Sequence, residues 1–368
     1  MRIAIDAREL HGKPTGVGRF LGELLDAWKT MPEGQGHEFV LLAPEGATSD
    51  GGTLWEQMVL PTLARDAGAG VLFAPAYSGP VLPPVPMVLA IHDVSFAAHP
   101  EWFAWREGAR RRSVVQLAAR AATRVITISQ FSKREIVAHL GIETEKIVVV
   151  YPGVADLSVI TPRRTADSES SAARTLRVRE PATVLYVGSI FNRRHVPELI
   201  DGFARLARIH PELRLEIVGD NRTSPHVDLE AITRSTVVGD RVHIRSYVPD
   251  DQLRALYGNS VAFVFLSEYE GFGLTPLEAL ASGLPVLLLD TPVAREICGD
   301  AALYVARPDP ALIERALSTL LFDAAERERI LDEGRRVLAR YSWTDCARRV
   351  LEVLIDAGSP GPTGFAAR

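Results

Sequence analysis

Residues 261–289 constrain this chain more than any other stretch. Val261-Ala-Phe-Val-Phe-Leu266 is a short apolar run rich in β-branched and aromatic residues, the pattern of a parallel strand buried on both faces. Pro276 to Ser282 reads as a helix: Thr275 is a good N-cap, Pro276 suits the first helical position, and Glu278 falls where a capping box wants its carboxylate. Gly283 and Pro285 stop that helix, and Val286-Leu-Leu-Leu289 is a second buried strand. The result is a strand–loop–helix–strand unit, with Glu270 and Glu278 bracketing a Gly-Phe-Gly loop.

The chemistry of such a loop follows from its place. Helix N-termini in α/β sheets point free N–H groups at the crevice above the strand ends, and such a site binds phosphate. Gly271 and Gly273 let the backbone come close to a ligand. Glu270 can then accept hydrogen bonds from sugar hydroxyls, and Glu278 from a second set such as a ribose. A phosphate with hydroxyls on both sides describes a nucleotide sugar. The plainer alternative is that Glu278 only caps its helix and the two glycines only make a turn.

This stretch resembles the E-x7-E motif of the retaining glycosyltransferases of family 4, which have the GT-B fold. The matching residues are Glu270, Gly271, Phe272, Gly273, Leu274, Pro276 and Glu278, continuing as Glu278-Ala-Leu-Ala-Ser-Gly-Leu-Pro-Val286. The resemblance implies donor contacts from Phe272, Gly273, Leu274, Thr275 and Glu278, with Glu270 at the transferred sugar.

Composition is compatible with that reading. The chain has 368 residues, enough for two domains, with 47% hydrophobic and 24% charged residues. A net charge of −5 gives no global signal for nucleic-acid binding. No apolar run is long enough for a membrane span, and the N-terminus begins directly as a strand, so no signal peptide is expected. Two cysteines, Cys298 and Cys346, make neither a disulfide framework nor a metal cluster, and a reducing cytoplasm fits.

In the first half, Ile3-Ala-Ile5 is a strand, and Gly16-Val-Gly18-Arg19 leads into a helix over Phe20–Lys29. Gly16, Gly18 and Gly22 lie too far past the strand for a dinucleotide fingerprint, and Gly12-Lys13-Pro14 is no P-loop. In the GT-B enzymes a glycine-rich loop after the first strand lies close to the donor diphosphate, which gives Gly16 and Gly18 a role; the alternative is a simple turn into the helix. A strand over Met87–Ile91 ends in His92-Asp93, at the carboxyl edge where ligands bind. By resemblance His92 contacts the transferred sugar; alternatively it forms a structural pair with Asp93. A helix is expected over 101–124, with Trp102, Phe103 and Trp105 near its start and Arg106, Arg110, Arg111 and Arg112 following. Such a helix can lie on an anionic membrane or grip a lipid-linked phosphate, or be a solvated face. Ser129 caps a helix over Phe131–Leu140.

Residues 156–180 are rich in Ser, Thr, Ala and Arg and read as a linker. A strand over Thr183–Val187 then opens a second alternation of strands and helices, followed by Gly188-Ser-Ile-Phe-Asn-Arg193-Arg194-His195. Guanidinium groups chelate phosphate oxygens, so Arg193 and Arg194 suit a diphosphate. The family usually carries Gly-x-x-x-x-Arg-Lys here, and some members an Arg directly after the Gly; this chain has Arg194 and Ser189 at those places. Gly188 and Ser189 are thus donor-site candidates, as is Val248, whose segment resembles the one bordering the nucleotide base. A helix is expected over Val227–Val238, and Ser342-Trp343-Thr344 starts the last helix, which the family folds back onto the first domain.

The fold expected is α/β: two Rossmann-like, doubly wound parallel-sheet domains facing each other across a cleft. The acceptor-binding domain spans 1–155 plus a returning helix over 343–357, the linker 156–180, the donor-binding domain 181–342 and a tail 358–368. The resemblance implies transfer of a hexose with retention, from a nucleoside-diphosphate sugar to a glycan or lipid-linked acceptor hydroxyl. No metal and no further cofactor is expected, with Arg193, Arg194 and the helix N-terminus at Leu274–Thr275 meeting the leaving diphosphate. Thr15-Gly-Val-Gly18, His92-Asp-Val-Ser-Phe96 and Thr127-Ile-Ser-Gln-Phe-Ser132 look most like bacterial polysaccharide mannosyltransferases, which favours GDP-mannose. UDP-glucose or UDP-N-acetylglucosamine transfer stays open, as do a nucleotide-sugar epimerase and a non-catalytic nucleotide-binding protein. A nicotinamide-dependent oxidoreductase is opposed by the displaced glycines.

Overall fold

Runs of apolar residues with no polar alternation cannot face water on either side, and here they form two parallel sheets. In this computed structural model, which describes residues 1–11, 16–44, 52–154 and 182–359, the chain divides into two compact units. One is Met1–Gly153 with the return from Tyr341; the other is Val154–Arg340. The expected linker over 156–180 lies outside the described residues, as does the tail beyond Ser359.

The first unit holds β1 (Arg2–Asp6), β2 (Glu38–Leu42), β3 (Val71–Ala74), β4 (Met87–Ala90), β5 (Arg124–Thr127) and β6 (Ile147–Val149), in the order β2-β1-β3-β4-β5-β6. β3 and β4 are buried at every position. The helix Trp343–Gly358 closes one face of this sheet. Its Cys346, Ala347, Val350, Leu351 and Leu354 join the core built on Phe20, Leu24 and Trp28. The indole Nε1–H of Trp28 donates to the Ala347 carbonyl at 2.8 Å, so the ring is buried with its one donor satisfied.

The second unit holds β7 (Ala182–Val187), β8 (Leu213–Val218), β9 (Val242–Arg245), β10 (Ala262–Phe265), β11 (Val286–Leu289) and β12 (Leu303–Val305), in the order β12-β11-β10-β7-β8-β9. Chain order reverses between β7 and β10. Neighbouring crossovers there leave in opposite directions, which opens a crevice at the carboxyl ends of these two strands. The helix Val196–Ala207 buries Val196, Leu199, Ile200, Phe203 and Ala207, the i, i+3, i+4 spacing of a single apolar face.

Several local expectations are corrected. The helix after the Gly-Phe-Gly loop runs Leu274–Ala281, with Gly273 as its N-cap and no side-chain cap. Gly273 takes φ 104°, open to glycine, and turns the chain three residues before Pro276, so Thr275 is not the cap and the capping box does not form. The helix expected over 101–124 begins at Trp105 and ends at Ala121, after a separate short 3-10 turn at Pro100–Trp102; Arg124 already belongs to β5. The helix expected over 227–238 is only Leu229–Ser235, capped by the Asp228 side chain on Ala231 N–H. Gly16 and Gly18 are not in a loop but in the first turn of the helix Gly16–Thr30.

Candidate active site

The loops after β7 and β10 meet at the point of chain reversal. β7 is followed by Gly188, whose φ of 146° no side chain adopts readily. The chain then passes Ser189 and Ile190, the latter bridged to Asn221, into a 3-10 turn over Asn192–Arg194. Gly219, after β8, makes that bridge possible: a Cβ there would stand 1.9 Å from the Gly188 carbonyl oxygen. Across from this turn, Glu268 N–H donates to the Arg193 carbonyl at 3.0 Å.

Arg194 points into the site. Its Nε and Nη2 lie 2.9 and 2.7 Å from Oε1 of Glu270, and its Nη1 donates to the Ser189 carbonyl at 2.6 Å. The guanidinium also lies 4.9 Å from the centre of the Phe265 ring. Burial works against its charge, but Glu270 and Tyr186 together favour it, and the net shift of Arg194 is upward. Arg193 instead lies over the Phe191 ring at 4.2 Å. Ser267 Oγ donates to the same Glu270 Oε1 at 2.7 Å. The other oxygen, Oε2, receives no hydrogen bond from any described residue, while the Glu270 side chain remains 21% exposed. One face of this carboxylate is therefore fixed and the other is free to accept.

Glu270 also lines a narrow pocket with Ser267, Phe272, Gly273, Pro276 and Thr291. Phe272 is buried beneath the loop; Gly273, Leu274 and Thr275 are half-buried at the helix start, where the first N–H groups have no partner within the helix. Glu278 lies one turn further in, 8% exposed, and accepts from Tyr257 Oη at 3.4 Å. Burial pushes the Tyr186 hydroxyl up to about 12; it donates to the Ser189 carbonyl at 3.3 Å. Hydrogen bonds thus join Ser189, Arg194, Ser267 and Glu270, and the pocket sets Glu270 beside Phe272 and Gly273, while Arg193 stacks on Phe191 and Glu278 meets Tyr257. Val248 follows β9 and is buried, beside an exposed Tyr247.

The first unit carries its own group. His92 follows β4 and is 8% exposed. Its Nε2 lies 2.9 Å from the Pro75 carbonyl and must donate to it, which leaves Nδ1 as the acceptor. Burial lowers its pKa, so the ring is neutral. The alternative pairing with Asp93 is not made: Asp93 instead accepts from Tyr77 Oη and from Ser95 N–H and Oγ. Phe20, one turn beyond Gly16, meets the His92 ring edge-on at 5.0 Å.

Sequence reasoning missed a buried ion cluster at the carboxyl ends of β1 and β3, where the first sheet reverses its order. Arg8 Nη2 lies 2.6 Å from Asp6 and 2.7 Å from Glu56, whose Oε2 also accepts from Ser78 Oγ. Those residues lie up to 72 positions apart in no recognisable motif; the only available signal was Asp6 itself, a charge ending an apolar strand. Burial pushes both cysteine thiols up to about 12, so neither is a nucleophile at neutral pH. Among the described residues no group of three or more His, Cys, Asp or Glu is arranged to hold a metal ion. No described helix is long and apolar enough to cross a membrane.

The family model described as Glycosyl transferases group 1 matches residues 167–337, and the model described as Glycosyltransferase Family 4 matches residues 63–156. The chain is 26% identical over 266 residues to O-antigen chain mannosyltransferase B of Escherichia coli, across 72% of this chain and 68% of that protein. It is 28% identical over 276 residues to glycogen synthase of Mycobacterium tuberculosis, across 74% of this chain and 64% of that one. Among solved structures it superposes on Anabaena HepE in complex with UDP-glucose with a TM-score of 0.70, at 18% identity, over 96% of this chain and 99% of that one; what is shared there is the fold.

Proposed function

We propose that this chain, which matches the Glycosyl transferases group 1 and Glycosyltransferase Family 4 models in successive parts and shares the GT-B fold, is a family 4 glycosyltransferase that moves a hexose from a nucleoside-diphosphate sugar to an acceptor hydroxyl with retention at the anomeric carbon. The observation that carries this reading is the Glu270 carboxylate: Oε1 is held by Arg194 and Ser267, and Oε2 is left open beside a helix N-terminus. A group fixed on one side and free on the other can orient sugar hydroxyls and stabilise positive charge developing at the anomeric carbon. The acceptor oxygen then attacks from the face the diphosphate leaves, with Glu270 as a positioning group rather than a nucleophile.

Arg193, the remaining donors of Arg194, and the first N–H groups at Leu274 and Thr275 stabilise the departing diphosphate, without a metal or further cofactor. Glu278 takes the ribose, Val248 borders the base, and Gly188 and Ser189 line the phosphate path. His92 serves the transferred sugar and Gly16 and Gly18 the diphosphate.

The donor we favour is GDP-mannose, supported by the name of the Escherichia coli relative, and the acceptor a bacterial polysaccharide or glycolipid. A UDP-glucose donor is the second reading, supported by the UDP-glucose bound to Anabaena HepE. The setting is the cytoplasm, with peripheral contact to an anionic membrane through the helix that begins at Trp105. There Trp105 is 81% exposed and Arg106, Arg110 and Arg112 face solvent.

A thermal-shift panel of GDP, UDP, ADP and dTDP sugars, with NADPH as control, tests this. Ligand at a hundred times its dissociation constant stabilises by about 2.7 kcal/mol. A shift with GDP and GDP-mannose alone supports the reading in full. A shift with UDP sugars keeps the transferase and replaces mannose. A shift with NADPH alone overturns it.

A further inference from the structure

The loops that carry Arg194 and Glu270, already tied by the backbone bond from Glu268 to Arg193, are also joined through a histidine. His195 Nε2 lies 2.8 Å from Glu268 Oε1, and its Nδ1 lies 3.5 Å from Glu198 Oε1. Glu268 stands beside Ser267, which holds Glu270. Glu198 is in the first turn of the helix Val196–Ala207, for which His195 is the N-cap residue. His195 itself sits at φ 50°, ψ 40°, a left-handed conformation that costs a non-glycine residue energy. Its side chain is only 13% exposed.

The geometry decides the charge state in which this arrangement is complete. A neutral imidazole has one N–H and one lone pair. It can donate to one of the two carboxylates, and its lone pair then faces the other. Only the imidazolium donates to both. The charged groups around it are Glu198 of its own helix, Glu268 of the facing loop, and Arg193 and Arg194 just before it, with Arg194 already matched by Glu270. Burial opposes the charge, the hydrogen bonds to Glu198 and Glu268 favour it more strongly, and the net shift is upward from 6.5.

We propose that His195 is a positioning residue: as the imidazolium it latches Glu268 to the start of the helix Val196–Ala207, and so keeps Arg194 and Glu270 in register for the donor. When His195 loses its proton, its ring can donate to only one of the two carboxylates, so the bridge from Glu268 to the start of the helix is broken on one side. Glu268 keeps only its backbone bond to Arg193 as a second tie to that loop, the hold on Ser267 and Glu270 loosens, and donor affinity falls. This rests on the reading that Arg194 and Glu270 hold the donor.

The test compares the full wild-type chain with His195→Asn, which tolerates the left-handed backbone, and Glu268→Gln, an exposed change that spares folding. The first readout is NMR, between about pH 6 and 9. In the wild type the His195 ring titrates above 6.5, the Arg194 Nε–H resonance moves with the same midpoint, and the midpoint drops in Glu268→Gln. In His195→Asn the Arg194 resonance stays flat. The second readout is the dissociation constants of GDP and UDP over the same range. For whichever binds, wild-type affinity falls about fivefold or more as pH rises through the His195 midpoint. The His195→Asn variant binds weakly at every pH. The latch is overturned if Arg194 does not follow His195, or if His195→Asn keeps the wild-type pH profile of binding. Should neither nucleotide bind the wild type, the donor reading fails, while the NMR titration still decides the latch.

Discussion

Arg194 and Glu270 meet through a single carboxylate oxygen: Nε and Nη2 of the arginine lie 2.9 and 2.7 Å from Oε1, while Oε2 takes no hydrogen bond from the described residues. The two residues are 76 positions apart and come from loops after neighbouring strands of the second sheet. The pair does two things at once. It neutralises a largely buried guanidinium, and it aims a half-free carboxylate at the crevice.

Replacing Glu270 by Gln keeps the shape and one hydrogen bond to Arg194 but removes the charge. Turnover should fall by about 10²–10³. Binding of the free nucleoside diphosphate, measured by calorimetry, should change less than about threefold, because the proposed function gives Oε2 to the transferred sugar and not to the nucleotide. An equal loss in both would make Glu270 a nucleotide ligand rather than a sugar ligand.

Arg194→Ala leaves Glu270 without its cation in a site where its side chain is only 21% exposed. Breaking such a pair from one side should cost about 3 kcal/mol in denaturant unfolding. The double change Arg194→Met with Glu270→Gln should recover most of that stability and none of the activity. If the single change is neutral, the pair is not what holds these loops.

His92 is buried neutral, with its pKa lowered below the ordinary 6.5 by burial. A depressed folded-state value means that stability is fully present above 6.5 and is lost as pH falls through the folded value. The slope is at most about 1.4 kcal/mol per pH unit for one proton. His195 has the opposite sign: its raised value gives stability that is full below 6.5 and lost as pH rises. Melting temperature followed from about pH 8 to 5 should therefore lose its acid fall in His92→Asn and its alkaline fall in His195→Asn. Matching slopes in the two variants would contradict both assignments.

Gly188 and Gly273 both need positive φ, but only one is also crowded. A Cβ at Gly273 meets nothing within 4 Å, whereas one at Gly188 would lie 2.9 Å from Arg194 Nη1 and 3.3 Å from Phe265. Arg194 is pinned by Glu270 and Ser189 and cannot yield without losing a contact. Gly273→Ala should cost about 1–2 kcal/mol from backbone strain alone. Gly188→Ala should cost more in melting temperature and also weaken nucleotide binding. The reverse order would mean that Arg194 is free to move.

Much of the fold was legible because its signals are local. The strand expected over Thr183–Val187 is Ala182–Val187, and the helix expected over Phe131–Leu140 is Gln130–Leu140, with Ser129 capping it on Ser132 N–H. The strand-to-helix stretch around Glu270 was equally plain. The misreadings have local causes too. Thr275 and Glu278 spell a capping box, but Gly273 turns the chain first. The apolar residues Val237 and Val238 extend the helical pattern past Ser235, but the helix closes at Thr236, so only Leu229–Ser235 of the expected 227–238 is helical.

By itself the sequence determined two rounds of parallel α/β structure and which residue types stand at the strand ends, because hydrophobic period, glycines and caps act over a few residues. Only the tertiary structure decided that Arg194 closes on Glu270, that His195 reaches Glu268, and that Arg8 joins Asp6 to Glu56. Those pairs depend on which strands are neighbours, and strand order is set by how the crossovers pack rather than by any spacing along the chain.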